Sequence, residues 1–276
     1  MSKKEKKKRT AGDIIRNLIL VIAIGVFAFS AFQLGKIFLE YKAGTDEYNR
    51  VREYVTVTEP EPEQEQEETQ TEPEAEEAKP VPPQVDFDSL KAINPDVIGW
   101  IQIEGTSISY PIMKGTDNEY YLKHTFEGNY NAAGSIFIDY TNNSNFEDCN
   151  TIIYGHNMSS QTMFSTLLKY EDPDYFQEHP IIRFDTIYEE GQYQIAFVMH
   201  GKAYMEGEEG YRYYNFIDPA SEEEFNDHIA HFRELSLYDT GVDVSYDDHF
   251  IMLSTCEYSQ KNGRMVVVAK KIESAQ

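Results

Sequence analysis

Cysteine is scarce: two in 276 residues, Cys149 and Cys256. That excludes a disulfide framework and leaves at most one bridge, which would consume both thiols. Positive charge is also short, with 24 Lys and Arg against 48 Asp and Glu and a formal net charge of −24. Phosphate binding needs a basic face, so nucleic acid is excluded as a partner. No phosphate-cradling Gly loop, no Cys/His metal spacing and no internal repeat occurs in the chain. Neither metal nor cofactor is therefore expected. Tryptophan appears once, so aromatic packing falls to 20 Tyr and 16 Phe.

Long hydrophobic runs are absent but for one. After a basic cluster (Lys3, Lys4, Lys6, Lys7, Lys8, Arg9) and Arg16, residues 17–35 carry no charge. At ~1.5 Å per residue the run spans about 29 Å, close to the ~30 Å hydrocarbon core of a bilayer. It exceeds the ~7–15 residues of a signal-peptide apolar region, and no small-x-small cleavage site follows, which favours an uncleaved anchor over a signal peptide. The basic flank should stay cytoplasmic and the remainder should face outside. The expected organisation is a basic tail (1–16), a transmembrane anchor (17–38), a solvated stalk helix (39–55), an acidic Pro/Glu-rich disordered spacer (56–85) and a folded body (86–276). Tyr41, Tyr48, Val51 and Val55 at helical spacing define the stalk. The Glu, Gln, Thr and Pro of the spacer cannot bury enough apolar surface to fold, so it should hold the body off the membrane.

The body alternates apolar and polar residues between regular turns. Strands are expected at 97–103, 108–112, 134–138, 151–154, 181–184, 192–199, 250–253 and 265–269. A short helix at 87–93 is capped by Asp86 and ended by Asn94-Pro95. A further helical segment falls at 165–170. Another opens at Ser221, with Glu224 three residues on and Phe225, Ile229, Phe232 and Leu235 along one face. Many short strands with few helices indicate a mainly β fold, a barrel or a sandwich.

Residues 250–270 carry the chemical signal. Cys256 ends one strand and Arg264 opens the next, which is either a nucleophile beside a cation or a core thiol beside a surface Arg. A nearby positive charge favours thiolate, the reactive form. A thiolate needs a proton partner. Of seven histidines, His156 has the best setting, in a loop directly after the 151–154 strand, with His200 at a strand end as its rival. His228 and His231 are expected on the solvated side of the Ser221 helix. No Asp or Asn orienter is evident.

Residues 87–270 resemble the class B sortases of Gram-positive bacteria. The resemblance lies in INPDVIGWIQIEGTSISYPIM (93–113), DNEYYL (117–122), GSIFIDY (134–140), TIIYGHNM (151–158), and LSTC followed by GR and a Val run (253–268). It implies a sortase-like closed β-barrel with an N-terminal helix, a helix between late strands and a preceding membrane helix. It further implies Cys256 as nucleophile, His156 as acid/base and Arg264 as the cation that orients substrate or stabilises the oxyanion. Substrate contacts are implied at Asn118, Leu122, Ser254, Thr255 and Glu257. The implied partners are surface proteins bearing a C-terminal sorting signal, and an amine of the cell-wall precursor or a pilin. The readings that compete are a cysteine hydrolase that uses water and a surface-displayed binding module with a structural Cys256.

Overall fold

The computed structural model describes residues 11–56 and 84–272. The basic cluster and nearly all of the acidic segment lie outside the described residues. Two compact units are distinguished, Met1–Ala43 and Gly44–Gln276.

In the first unit, helix α1 (Ala11–Val51) begins. Its Ile, Leu, Val and Phe side chains from Ile14 to Leu39 are exposed on all sides. The helix is long and apolar enough to cross a membrane.

The second unit starts 42 residues before the expected boundary at 86. From Gly44 the helix is not a free-standing stalk: Glu47, Tyr48 and Val51 are buried. Glu47 accepts hydrogen bonds from Thr125 Oγ1 (2.9 Å), the Glu127 amide (2.8 Å) and Asn129 Nδ2 (3.3 Å). The amphipathic spacing was legible. Its partner, a surface loop some 80 residues away, was not.

Strands β1 (Val55–Thr56) and β2 (Gln84–Val85) pair antiparallel, Val55 opposite Val85. The two flanks of the acidic segment therefore lie side by side.

Helix α2 (Phe87–Ile93) comes next, its N-cap Asp86 accepting from the Ser89 amide at 3.0 Å. The barrel strands are β3 (Val97–Gln102), β4 (Ser109–Met113), β5 (Ile136–Ile138), β6 (Asn150–Tyr154), β7 (Ile181–Thr186), β8 (Gln192–Lys202), β9 (Phe250–Cys256) and β10 (Gly263–Ile272). They close in the order β3-β4-β5-β6-β9-β10-β8-β7 and back to β3. The pairs β4/β5 and β6/β9 are parallel and the rest antiparallel. Helices α3 (Pro173–Glu178) and α4 (Glu222–Leu235) are both capped, by Asp172 and Ser221 respectively. Helix α3 was not foreseen, although Asp172 with Pro173 at the first helical position is a start signal. The 165–170 segment is a 3₁₀ helix reaching Glu171.

Phe225, Ile229 and Phe232 of α4 pack on Ile152 of β6, Phe250 and Met252 of β9, and Val266 and Val268 of β10. Side chains alternate along a strand, so this outer barrel face continues through Ser254 and Cys256 on β9, Arg264 on β10 and Tyr154 on β6. The fold thus covers most of one face with a helix and leaves its end open. His228 and His231 are not simply solvated. Tyr211 hydrogen-bonds His228 Nδ1 at 2.7 Å and stacks on His231 at 4.2 Å.

Candidate active site

Cys256 and Arg264 are register partners across β9 and β10. Directly opposed residues of an antiparallel pair project to the same side, with Cα atoms about 4.5–5.5 Å apart. The pairing is closed by the Glu257 amide donating to Gly263 O at 3.0 Å. Gly263 is required there, since a Cβ would lie 2.7 Å from Glu257 O.

His156 reaches the same place from β6. Tyr154 is the parallel partner of Ser254, so the chain two residues on lies beside Cys256. Three bonds lace loop to strand. The Gly155 amide donates to Ser254 O (3.3 Å), Thr255 Oγ1 to Gly155 O (2.7 Å) and Asn157 Nδ2 to Cys256 O (2.9 Å). At Gly155 a Cβ would fall 2.5 Å from Ile136 Cδ1 and 2.7 Å from Phe164 Cδ2. Only glycine lets the loop lie this close to the barrel.

The imidazole does have an orienter, though not a side chain. His156 Nε2 is 2.8 Å from Leu122 O. A carbonyl only accepts, so Nε2 carries a proton in this contact and Nδ1 is left for exchange. A backbone partner has no residue-type signature, which is why no Asp or Asn could be picked out. Arg264 donates from Nη1 to Gly263 O at 2.9 Å. Among the described residues no carboxylate pairs with it, so its remaining donors are available to a ligand.

Cys256, His156 and Arg264 line one cleft of about 830 Å³, with Asn118, Leu122, Ser254 and Thr255. The sequence reading missed its tyrosines and Asp139. Asp139 accepts from Asn118 Nδ2 (2.9 Å) and Tyr154 OH (3.0 Å), which ties one wall together. Tyr213 OH lies 2.9 Å from Ser254 Oγ. Burial pushes the Tyr213 phenol up to about 12, so it remains neutral. Tyr154 stands two residues before His156 within YGHNM and was available as a signal. Tyr213 comes from a distant loop and was not.

Glu257 is not brought to the cleft. It is buried and bonds Ser259, through the amide and through Oγ at 2.7 Å, inside the 257–262 turn. The strand ends at Cys256, so alternation no longer aims the next side chain. His200 pairs with Glu171 at 3.0 Å and does not line the cleft. Both cysteines are free. Cys149 Sγ lies 3.7 Å from Asp248 O. Burial, reinforced by Asp218, Asp248 and Asp148, pushes its thiol up to about 12.

The Sortase domain family model matches residues 101–272. Sortase B of Listeria monocytogenes is 32% identical over 259 residues, 93% of this chain and 96% of that protein. A solved Staphylococcus aureus sortase B–substrate complex is 34% identical with a TM-score of 0.62, covering 68% of this chain and 85% of that one. Sortase B from B. anthracis in complex with AAEK1 is 30% identical with a TM-score of 0.67, over 86% and 100%. With the eight-stranded closed barrel, these matches establish that the chain belongs to the class B sortases, a family of cysteine transpeptidases.

Proposed function

We propose that this sortase is a membrane-anchored enzyme that cleaves C-terminal sorting signals through a Cys256 thioester and passes the acyl group to an amine of cell-wall precursor or pilin. The observation that carries this reading is the convergence of Cys256, His156 and Arg264 on one cleft. The Cys256 thiolate attacks the scissile carbonyl, and the oxyanion that forms draws on the Arg264 guanidinium. The C–N bond breaks as protonated His156 gives its proton to the leaving amine. The acceptor amine then attacks the thioester, its proton passes to His156, and the thiolate leaves. The lipid-compatible exposure of α1 supports anchoring, and the basic flank before residue 17 supports a cytoplasmic N-terminus with the barrel outside.

Full-length protein in detergent is incubated with a peptide carrying a Thr–Gly or Thr–Asn bond, with or without triglycine. A covalent peptide adduct is expected by mass spectrometry, with ligated product when triglycine is present. Cys256→Ala should show neither. An adduct in that variant overturns the assignment. Release that ignores triglycine identifies a hydrolase, and an inert Cys256 identifies a binding module.

A further inference from the structure

The buried end of α1 meets the segment that holds His156. Tyr48 OH donates to Gly134 O at 2.6 Å, with Ser135 Oγ at 3.1 Å. Gly134 has φ +57°, and a Cβ there would lie 2.5 Å from Tyr121 O and 2.8 Å from Leu122 O. The Gly134 backbone therefore rests against the Tyr121–Leu122 peptides. The Ser135 amide adds a bond to Tyr121 O at 2.8 Å. Leu122 O is the atom that holds His156 Nε2.

A second route starts from the same side chain. The Tyr48 ring meets the Tyr110 ring edge-on at 5.3 Å. Tyr110 OH accepts from the Met163 amide at 3.0 Å. Met163 bridges to Asn157, and the neighbouring Phe164 amide donates to His156 O at 2.9 Å. One tyrosine thus braces both the carbonyl that orients the imidazole and the loop that carries it.

We infer that Tyr48, in the last turns of the helix, is a positioning residue for His156, acting through the Gly134–Leu122 contact and the Tyr110–Met163 contact. This rests on His156 being the acid/base of the proposed reaction. Interior contacts are close-packed, so loosening one end of such a chain moves the other. Removing only the hydroxyl is expected to lower kcat about 3- to 10-fold with KM little changed, the scale of one hydrogen bond.

The test uses the full chain in detergent, a quenched peptide with a Thr–Gly or Thr–Asn bond, and triglycine. Tyr48→Phe keeps the ring against Tyr110 and so keeps the fold. It should lower kcat, move the pH profile of kcat and shift the ¹⁵N resonances of His156. Glu47→Gln loosens the same helix end at Thr125, Glu127 and Asn129. It should lower Tm while leaving the pH profile in place. An unmoved profile and unmoved resonances in Tyr48→Phe overturn the inference, as does an equal shift of the profile in Glu47→Gln. His156→Ala separates the two readings. If it stays active, the acid/base assignment fails. If it is dead while Tyr48→Phe behaves as wild type, only the positioning role fails.

Discussion

The Asn157 side-chain amide donates to the Cys256 carbonyl at 2.9 Å, so the residue after the histidine grips the backbone of the cysteine. With the Thr255 hydroxyl on Gly155 O, it sets the spacing between His156 and Cys256 from both sides. Misplacement of catalytic groups by about 1 Å costs on the order of 10²-fold in rate. Two of the three bonds between loop and strand remain when Asn157 is lost. Asn157→Ala is therefore expected to slow adduct formation about 10-fold while lowering Tm by only about 2–4 °C. Single-turnover adduct kinetics beside a thermal melt check this. A normal rate would remove Asn157 from the account.

The two thiols should behave differently towards alkylation. Cys149 is pushed up to about 12, so at pH 8 roughly one part in 10⁴ is thiolate. Its reactivity should rise tenfold per pH unit through pH 10 and remain low in the native state. Cys256 lines the open cleft and is expected to take up iodoacetamide first. Peptide mapping after brief alkylation at pH 7 to 9 reads this directly, and preferential modification of Cys149 would contradict the site as described.

Where the folded unit begins has a consequence for stability. A chain started at residue 86 lacks Glu47, Tyr48 and Val51, all buried against the barrel unit. Burying a Val-sized side chain contributes ~1.5–3 kcal/mol and an aromatic at least as much. A chain of residues 44–276 should exceed one of 86–276 by about 4 kcal/mol, or roughly 10 °C in Tm. Calorimetry on the two soluble chains compares them, and equal melting temperatures would show that the helix end adds nothing.

Much of this molecule was legible before any coordinates. Eight runs of alternating apolar residues became the eight barrel strands, with differences mainly at their ends. Asp86 and Ser221 cap the helices they were expected to cap. Those signals are local: a strand repeats every two residues, and a cap is settled within four. Cys256, His156 and Arg264 stood out locally only as candidates at strand ends, with His200 as a rival, and it was the resemblance to class B sortases that singled out these three, which line one cleft. What escaped depended on distance. Glu257 sits beside Cys256 in sequence, yet its carboxylate turns into its own loop. Tyr213 is 41 residues from Ser254 and meets it in the cleft wall.

The order of residues alone determined that there is one helix fit to cross a membrane, a mainly β body, and a thiol, an imidazole and a guanidinium at strand ends. Side-chain chemistry and short-range periodicity suffice for each. Tertiary structure alone decided that the helix end belongs to the barrel unit, that Val55–Thr56 pairs with Gln84–Val85, and that Leu122 O orients His156. These are backbone and long-range pairings, set by barrel closure and packing, and no residue type announces them.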